Sequence, residues 1–459
     1  MAIDKINTAG LGDSAVTASK LDSAAVSPTA VSDTSNTSTG GLSLPTGTTA
    51  QRPSSPDTGE SRMNTTSGSL EFYDGTTWVS TNLTPNITSI TGEINNAYAS
   101  NLVFAITDNT PSVDIVFSEG GSSFHTVQGQ VVVAGAFTLA VPSQVSGQTA
   151  GDTISITINN ADGTPSSNAI TKTVLTAPTG GTTTISGGKR YHTFTSTDNF
   201  VIASGWPSTT VEYLTVAGGA GGSGDLAGGG GAGGVVANSF TATTNTYVAT
   251  VGGGGAAGTA VRGANSTGVD GNNSRINGIG TAAVGGGTSG HYNDGSATHG
   301  GGHAGGSGGG AGGSNAVRAG GLGTAGQGNN GGSGQGAPNY SGGGGGGAGA
   351  VGANSGASGG NGGVGTTVYD AWGAATSTGH SSGGTRYYAG GGGGGGYDNV
   401  TTTNSSGGLG GGGAGEVDAV ATSGTVNTGG GGGGGGYGNG GSQGGGAGGS
   451  GIVILRYTL

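Results

Sequence analysis

The chain has 459 residues, no cysteine, 8% charged side chains and a formal net charge of −11. These values exclude disulfide scaffolds and cysteine-based zinc sites, and a negative charge without a Lys/Arg cluster argues against a nucleic-acid partner. Glycine dominates the second half: 100 of the 116 glycines follow residue 177, yet the strict collagen period is missing and only 11 prolines occur.

Met1-Ala-Ile-Asp-Lys opens without an apolar stretch of signal-peptide length, and no run of about 20 apolar residues offers a membrane span. Synthesis in a cytoplasm without Sec export is the expectation. Residues 1–40 are rich in Ser, Thr, Ala and Asp, with related phrases at Asp13-Ser-Ala-Val-Thr and Asp22-Ser-Ala-Ala-Val-Ser. Such a segment cannot build its own core and reads either as a disordered leader or as an attachment segment.

Residues 41–82 form short strands punctuated by Gly59, Ser67-Gly68 and Asp74-Gly75, a hairpin pattern. Leu70, Phe72 and Trp78 supply apolar surface that one small hairpin cannot bury alone. Residues 83–177 predict seven strands: Ile87–Thr91, Leu102–Thr107, Val113–Ser118, Val131–Ala134, Phe137–Val141, Thr153–Asn159 and Ala169–Val174. Turn signals at Glu119-Gly120-Gly121 and Asp162-Gly163 and this spacing suggest an immunoglobulin-like β-sandwich, serving as a spacer or a weak glycan binder.

From residue 178 the glycine-rich domain begins. Tyr191-His-Thr-Phe-Thr, Asn199-Phe-Val-Ile-Ala, Val211-Glu-Tyr-Leu-Thr-Val and Tyr247-Val-Ala-Thr-Val read as strands, expected to pair with Ile452–Arg456 and so to join both ends of the glycine region on one small sheet. Between them lie Gly342–Gly347, Gly390–Gly396 and Gly429–Gly436. A glycine run can order as a polyproline II helix, with three residues per turn and no internal hydrogen bonds. Every buried N–H and C=O then needs a partner on a neighbouring run. A lone run would not repay its ordering entropy of about 1–2 kcal/mol per residue; many packed together would.

The phrase from Leu44 to Val79 resembles a module common in bacteriophage tail fibres and other virion appendage proteins, notably of marine phages. The combination Val211-Glu-Tyr-Leu-Thr-Val-Ala-Gly-Gly, Val251-Gly-Gly-Gly-Gly and Gly449-Ser-Gly-Ile-Val-Ile-Leu-Arg-Tyr resembles a glycine-rich domain found at the ends of phage tail fibres. The resemblance implies an all-β, elongated modular fibre, usually a homotrimer. Its N-terminus would meet other tail or adaptor proteins, and its distal domain of packed polyglycine II helices on a β-sheet base would meet a host surface receptor. It implies a virion protein made in the host cytoplasm.

Loops on a rigid scaffold carry recognition. The richest are Thr288–His303, Thr366–Tyr388, Tyr397–Ser406 and Glu416–Thr428. The candidate receptor-binding residues are Tyr369, Asp370, Trp372, His380, Arg386, Tyr387, Tyr388, Tyr397, His291 and Tyr292, because Tyr and Trp give large contact area at low entropy cost. Equally, Trp372, Tyr387 and Tyr388 could fill a seam in a bundle poor in side chains. His291, His299 and His303 lack helical spacing and thiolate partners, so no metal or other cofactor is expected. Enzymatic chemistry is not expected either: the carboxylates are isolated except Glu416 and Asp418, no paired acids flank a bond site, and no phosphate-loop motif occurs. A passive virion spacer and a bacterial surface adhesin remain as alternatives.

Overall fold

The computed structural model describes residues 44–459 apart from 67–68, 81–85, 96–99, 107–111, 134, 161–165, 167, 263–265 and 293–298. The 1–40 leader, the Ser67-Gly68 and Asp162-Gly163 turns and Asp294 lie outside the described residues. The fold is all-β, in two compact units.

The first unit holds β1 (Thr46–Gly47), β2 (Ser61–Asn64), β3 (Ser69–Tyr73) and β4 (Trp78–Ser80), paired in that order. Its buried face is polar. Antiparallel register opposes Arg62 to Glu71 and Asn64 to Ser69, and strand alternation sends all four to one side. Glu71 is fully buried, with Arg52 Nη2 2.6 Å and Arg62 Nε 3.2 Å from its carboxylate. Phe72 is exposed with Met63 on the opposite face, apolar surface that the small sheet leaves unburied.

The second unit opens with β5 (Ile87–Thr91), β6 (Ile94–Asn95), β7 (Asn101–Ile106), β8 (Ser112–Glu119), β9 (Ser122–Val131), β10 (Ala136–Ala140), the short helix α1 (Ser143–Ser146), β11 (Thr153–Asn160) and β12 (Ile170–Leu175). Sheets β10-β7-β5 and β6-β12-β11-β8-β9 share one core. Alternate residues Leu102 and Phe104 from one sheet meet Ile115, Phe117, Ile154 and Ile156 from the other. Of the expected strand at Val131–Ala134, Val131 ends β9, a ten-residue edge strand, Val133 makes an isolated bridge to Ala136, and Ala134 lies outside the described residues. The polar, mostly exposed sequence of β9 carries little apolar periodicity to reveal it.

Next come β13 (Thr182–Ser186), β14 (Lys189–Phe194), β15 (Asp198–Ile202), β16 (Thr209–Val216), β17 (Val235–Ala242), β18 (Asn245–Thr250), β19 (Ser274–Ile276) and β20 (Ile279–Ala283). They are followed by helix α2 (Asp370–Thr376), the hairpins β21 (His380–Ser382)–β22 (Thr385–Tyr387) and β23 (Tyr437–Gly438)–β24 (Gly441–Ser442), and β25 (Ile452–Thr458). The sheet order β13-β14-β25-β16-β17 sets β25 between β14 and β16, as expected for two of the four predicted partners. The other two, β15 and β18, pair with each other in a second sheet, β15-β18-β19-β20, because their apolar faces close the core opposite β25. Val453, Leu455 and Tyr457 enter that core, whereas Ile452 and Ile454 enter another on the opposite face. Burial on both faces explains an unbroken apolar run.

Between β16 and β17 the chain is buried at every residue. Its amides donate to three neighbours in turn. Ala217 and Ala220 donate to Gly234 and Gly231, Gly218 and Gly221 to Asn272 and Val269, and Gly219 and Gly222 to Gly449 and Gly446, all at 2.9–3.0 Å. The returning segment repeats the period: Gly228 and Gly231 donate to Gly290 and Gly287, Gly229 and Ala232 to Gly343 and Gly346, Gly230 and Gly233 to Gly432 and Gly429. Close approach demands glycine here. A Cβ on Gly221 would lie 1.9 Å from the Ala256 carbonyl oxygen, and one on Gly345 2.0 Å from that of Gly230.

Candidate functional site

The glycine segments that leave the sheet at Val216 reverse at Asp225 and Leu226, both with positive φ (62° and 53°), and return at Val235. This reversal marks the end of the bundle remote from the sheet. Four tyrosines gather beside it because each adjoins a glycine run ending there. Tyr292 follows Gly290-His291, Tyr340 precedes Ser341-Gly342, Tyr397 follows Gly396 and Tyr437 follows Gly436. Backbone bonds fix the convergence: Tyr292 donates to Asp225 at 2.9 Å, Gly342 to Gly395 at 2.9 Å and Ala227 to Gly435 at 2.9 Å.

The rings form a row. Tyr292–Tyr340, Tyr340–Tyr397 and Tyr397–Tyr437 each have centroids 6.0 Å apart, with interplanar angles of 65°, 85° and 68°. The Arg262 guanidinium lies 4.3 Å from the Tyr292 ring centroid, within cation–π range, and its Nε is 3.9 Å from Asp225 Oδ2. Together with Leu226 these five residues line a recess of about 270 Å³. Asp225 is fully buried and its carboxyl is pushed up by that burial, against the opposing pull of Ser442, Arg262 and His291. His291 is itself buried, which holds its imidazole below the ordinary histidine range. It donates from Nδ1 to the Tyr292 carbonyl at 2.9 Å, fixing the base of that ring.

The 366–388 segment is a different place. It folds as α2 followed by the β21–β22 hairpin, with Asp370 accepting the Arg386 amide at 2.7 Å. Trp372 is buried against Tyr191 of β14 and Tyr369, edge to face at 6.1 and 6.4 Å, and Arg456 covers its ring at 4.0 Å. Tyr388 is wholly buried, its hydroxyl 2.6 Å from Thr378, and burial raises its pKa. These two rings fill the seam between bundle and sheet. Tyr369 and Trp372 line a cleft of about 600 Å³ whose polar wall is Lys189, Glu212 and Arg456. Hydrogen bonds from Arg456 and Lys189 hold the Glu212 carboxyl low, so both cations of that wall share one carboxylate. His380, Arg386 and Tyr387 sit half-buried on the hairpin, with His380 Nδ1 accepting from Gly410 at 3.4 Å.

Of the sequence candidates, then, Tyr292 and Tyr397 share the recess, with His291 beneath Tyr292, while Tyr369 to Tyr388 gather by the sheet. Tyr340, Tyr437 and Arg262 were not among the candidates. A tyrosine abutting a glycine run is a signal for the first two; nothing in the sequence marks Arg262. His303 stands 3.6 Å from Asp270, and His291 and His299 have ring centroids 5.7 Å apart. Among the described residues no three His, Asp or Glu converge as a metal site.

A β-sheet base carrying a buried, side-chain-poor bundle defines a glycine-rich domain by its architecture. The family described as glycine-rich domain matches residues 195–458, more than half of the chain, and the chain belongs to it. No curated protein matches the chain.

Proposed function

We propose that this is a tail fibre or related virion appendage protein of a bacteriophage, whose glycine-rich domain recognises a receptor on the host surface through its tyrosine end. The observation that carries the reading is the meeting of four tyrosines at the sheet-remote end of four glycine runs. A bundle fixed by backbone bonds between its segments holds those rings without further ordering cost, which is what preorganised recognition requires. In this reading the glycine segments are polyglycine II helices, supported by the three-residue period of their hydrogen-bond partners. The two sheets of residues 87–175 are an immunoglobulin-like spacer, and the N-terminal segment joins tail or adaptor partners. Assembly as a homotrimer multiplies weak single contacts into avidity.

The test is adsorption competition with the full chain on host cells. Wild type should block phage attachment, and Tyr397→Ala with Tyr437→Ala should remove the block while the chain stays folded. Undiminished blocking by the double variant would sink the tyrosine assignment. A folded wild type that neither binds nor blocks leaves the passive spacer as the reading.

A further inference from the structure

We propose that the tyrosine-lined recess takes an uncharged pyranose ring of a surface saccharide; this rests on the receptor reading above and names its ligand class. At about 270 Å³ the recess falls just below the roughly 300–1,000 Å³ of sites for drug-sized ligands. It has room for a sugar ring, not for a helix or strand of a partner protein. The wall chemistry matches a pyranose, which has an apolar C–H face and a hydroxylated edge. The four rings meet at 65° or more, so none is stacked face on face with its neighbour and aromatic faces remain for a ligand. Each phenol hydroxyl both donates and accepts, as a sugar hydroxyl does.

Arg262 adds a directed donor. Its guanidinium is held on the Tyr292 ring and its side chain is 60% exposed. A planar fork of N–H donors suits two neighbouring hydroxyls. Charge selects further. Asp225, 3.9 Å from Arg262 Nε, offsets the guanidinium and so weakens the case for an anion, while the guanidinium over Tyr292 opposes a cation in that ring's face.

Saturation-transfer NMR on the full chain, with the methyl glycosides of mannose, glucose and galactose, with N-acetylglucosamine, and with choline and acetate as charged controls, tests this. Transfer to the C–H protons of at least one sugar is expected. Tyr437→Ala should cut it roughly fivefold and Arg262→Gln about threefold, with thermal midpoints unchanged. If Tyr437→Ala melts early, the exposed Arg262→Gln decides. The proposal is overturned if no sugar responds, if only choline or acetate responds, or if folded variants respond like wild type. A wild type that adheres to host cells through its tyrosines yet gives no sugar signal overturns the saccharide and leaves the receptor reading. A sugar signal with adhesion undiminished in Tyr437→Ala overturns the receptor reading instead.

Discussion

The guanidinium of Arg456 lies 4.0 Å from the ring centroid of Trp372. The same side chain donates from Nε to Glu212 at 2.9 Å, so one residue of β25 fastens both β16 and the α2 segment. Trp372→Ala removes a large buried ring and uncovers a cation, and should cost about 3–5 kcal/mol of stability. Urea unfolding measures it. Sugar binding at the tyrosine recess should survive in the fraction that folds, since Trp372 lines the other cleft.

Glycines in the bundle should divide sharply by what a methyl group would strike. Gly221→Ala places Cβ 1.9 Å from a backbone carbonyl that cannot rotate away, and overpacking of this kind costs about 3 kcal/mol or more. Gly356→Ala meets nothing within 4 Å and should stay within about 0.5 kcal/mol of wild type. Equal thermal midpoints for the two variants would refute the close packing.

His192 is fully buried between Phe200 and Tyr457, with Nδ1 donating to the Gly180 carbonyl at 2.8 Å. Burial lowers its pKa to about 4, beneath the ordinary histidine value of about 6.5. The unfolded chain therefore takes up a proton first as pH falls. The stability is complete above about pH 6.5 and is lost progressively down to about pH 4, amounting to about 3 kcal/mol. Unfolding curves at neutral and mildly acid pH check it, and His192→Phe should flatten the slope.

In the first unit, Glu71 draws Arg52, Arg62 and Asn64 into one buried cluster. Burial alone would raise its carboxyl, but the bonds from Arg52 and Asn64 and the charges of Arg52 and Arg62 together hold it below the ordinary value. Glu71→Gln leaves the buried Arg62 guanidinium without a counter-charge and should cost about 3–5 kcal/mol. Limited proteolysis near residues 44–80 should detect the opening, with the glycine-rich domain unaffected.

The parts of the fold readable in advance are those where side chains report a period. Ile452 to Leu455 announced a strand buried on both faces, and Val211 to Val216 its partner. Where the residue is glycine no side chain carries the register, so composition suggested a packed bundle but could not say that Gly221 faces Val269 while Gly222 faces Gly446. The same blindness affected the site. Trp372 and Tyr388 read equally well as contact residues or as fillers of a seam, and only the packing of α2 and the β22 end against the sheet puts both in the seam. Arg262 and Tyr437 meet only because separate runs end at one place.

The position of β25 also sets a schedule for synthesis. Glu212 on β16 and Arg456 on β25 are 244 residues apart, and at roughly 5–20 residues per second a ribosome needs about 12–50 s to cover that distance. Until then β14 and β16 have no strand between them, and amides of Gly219 and Gly222 lack the Gly449 and Gly446 carbonyls they finally reach. Closure of the bundle is thus a late event in the life of the nascent chain, and a ribosome that stalls after the last glycine run but before Ile452 leaves a product with its central seam unzipped.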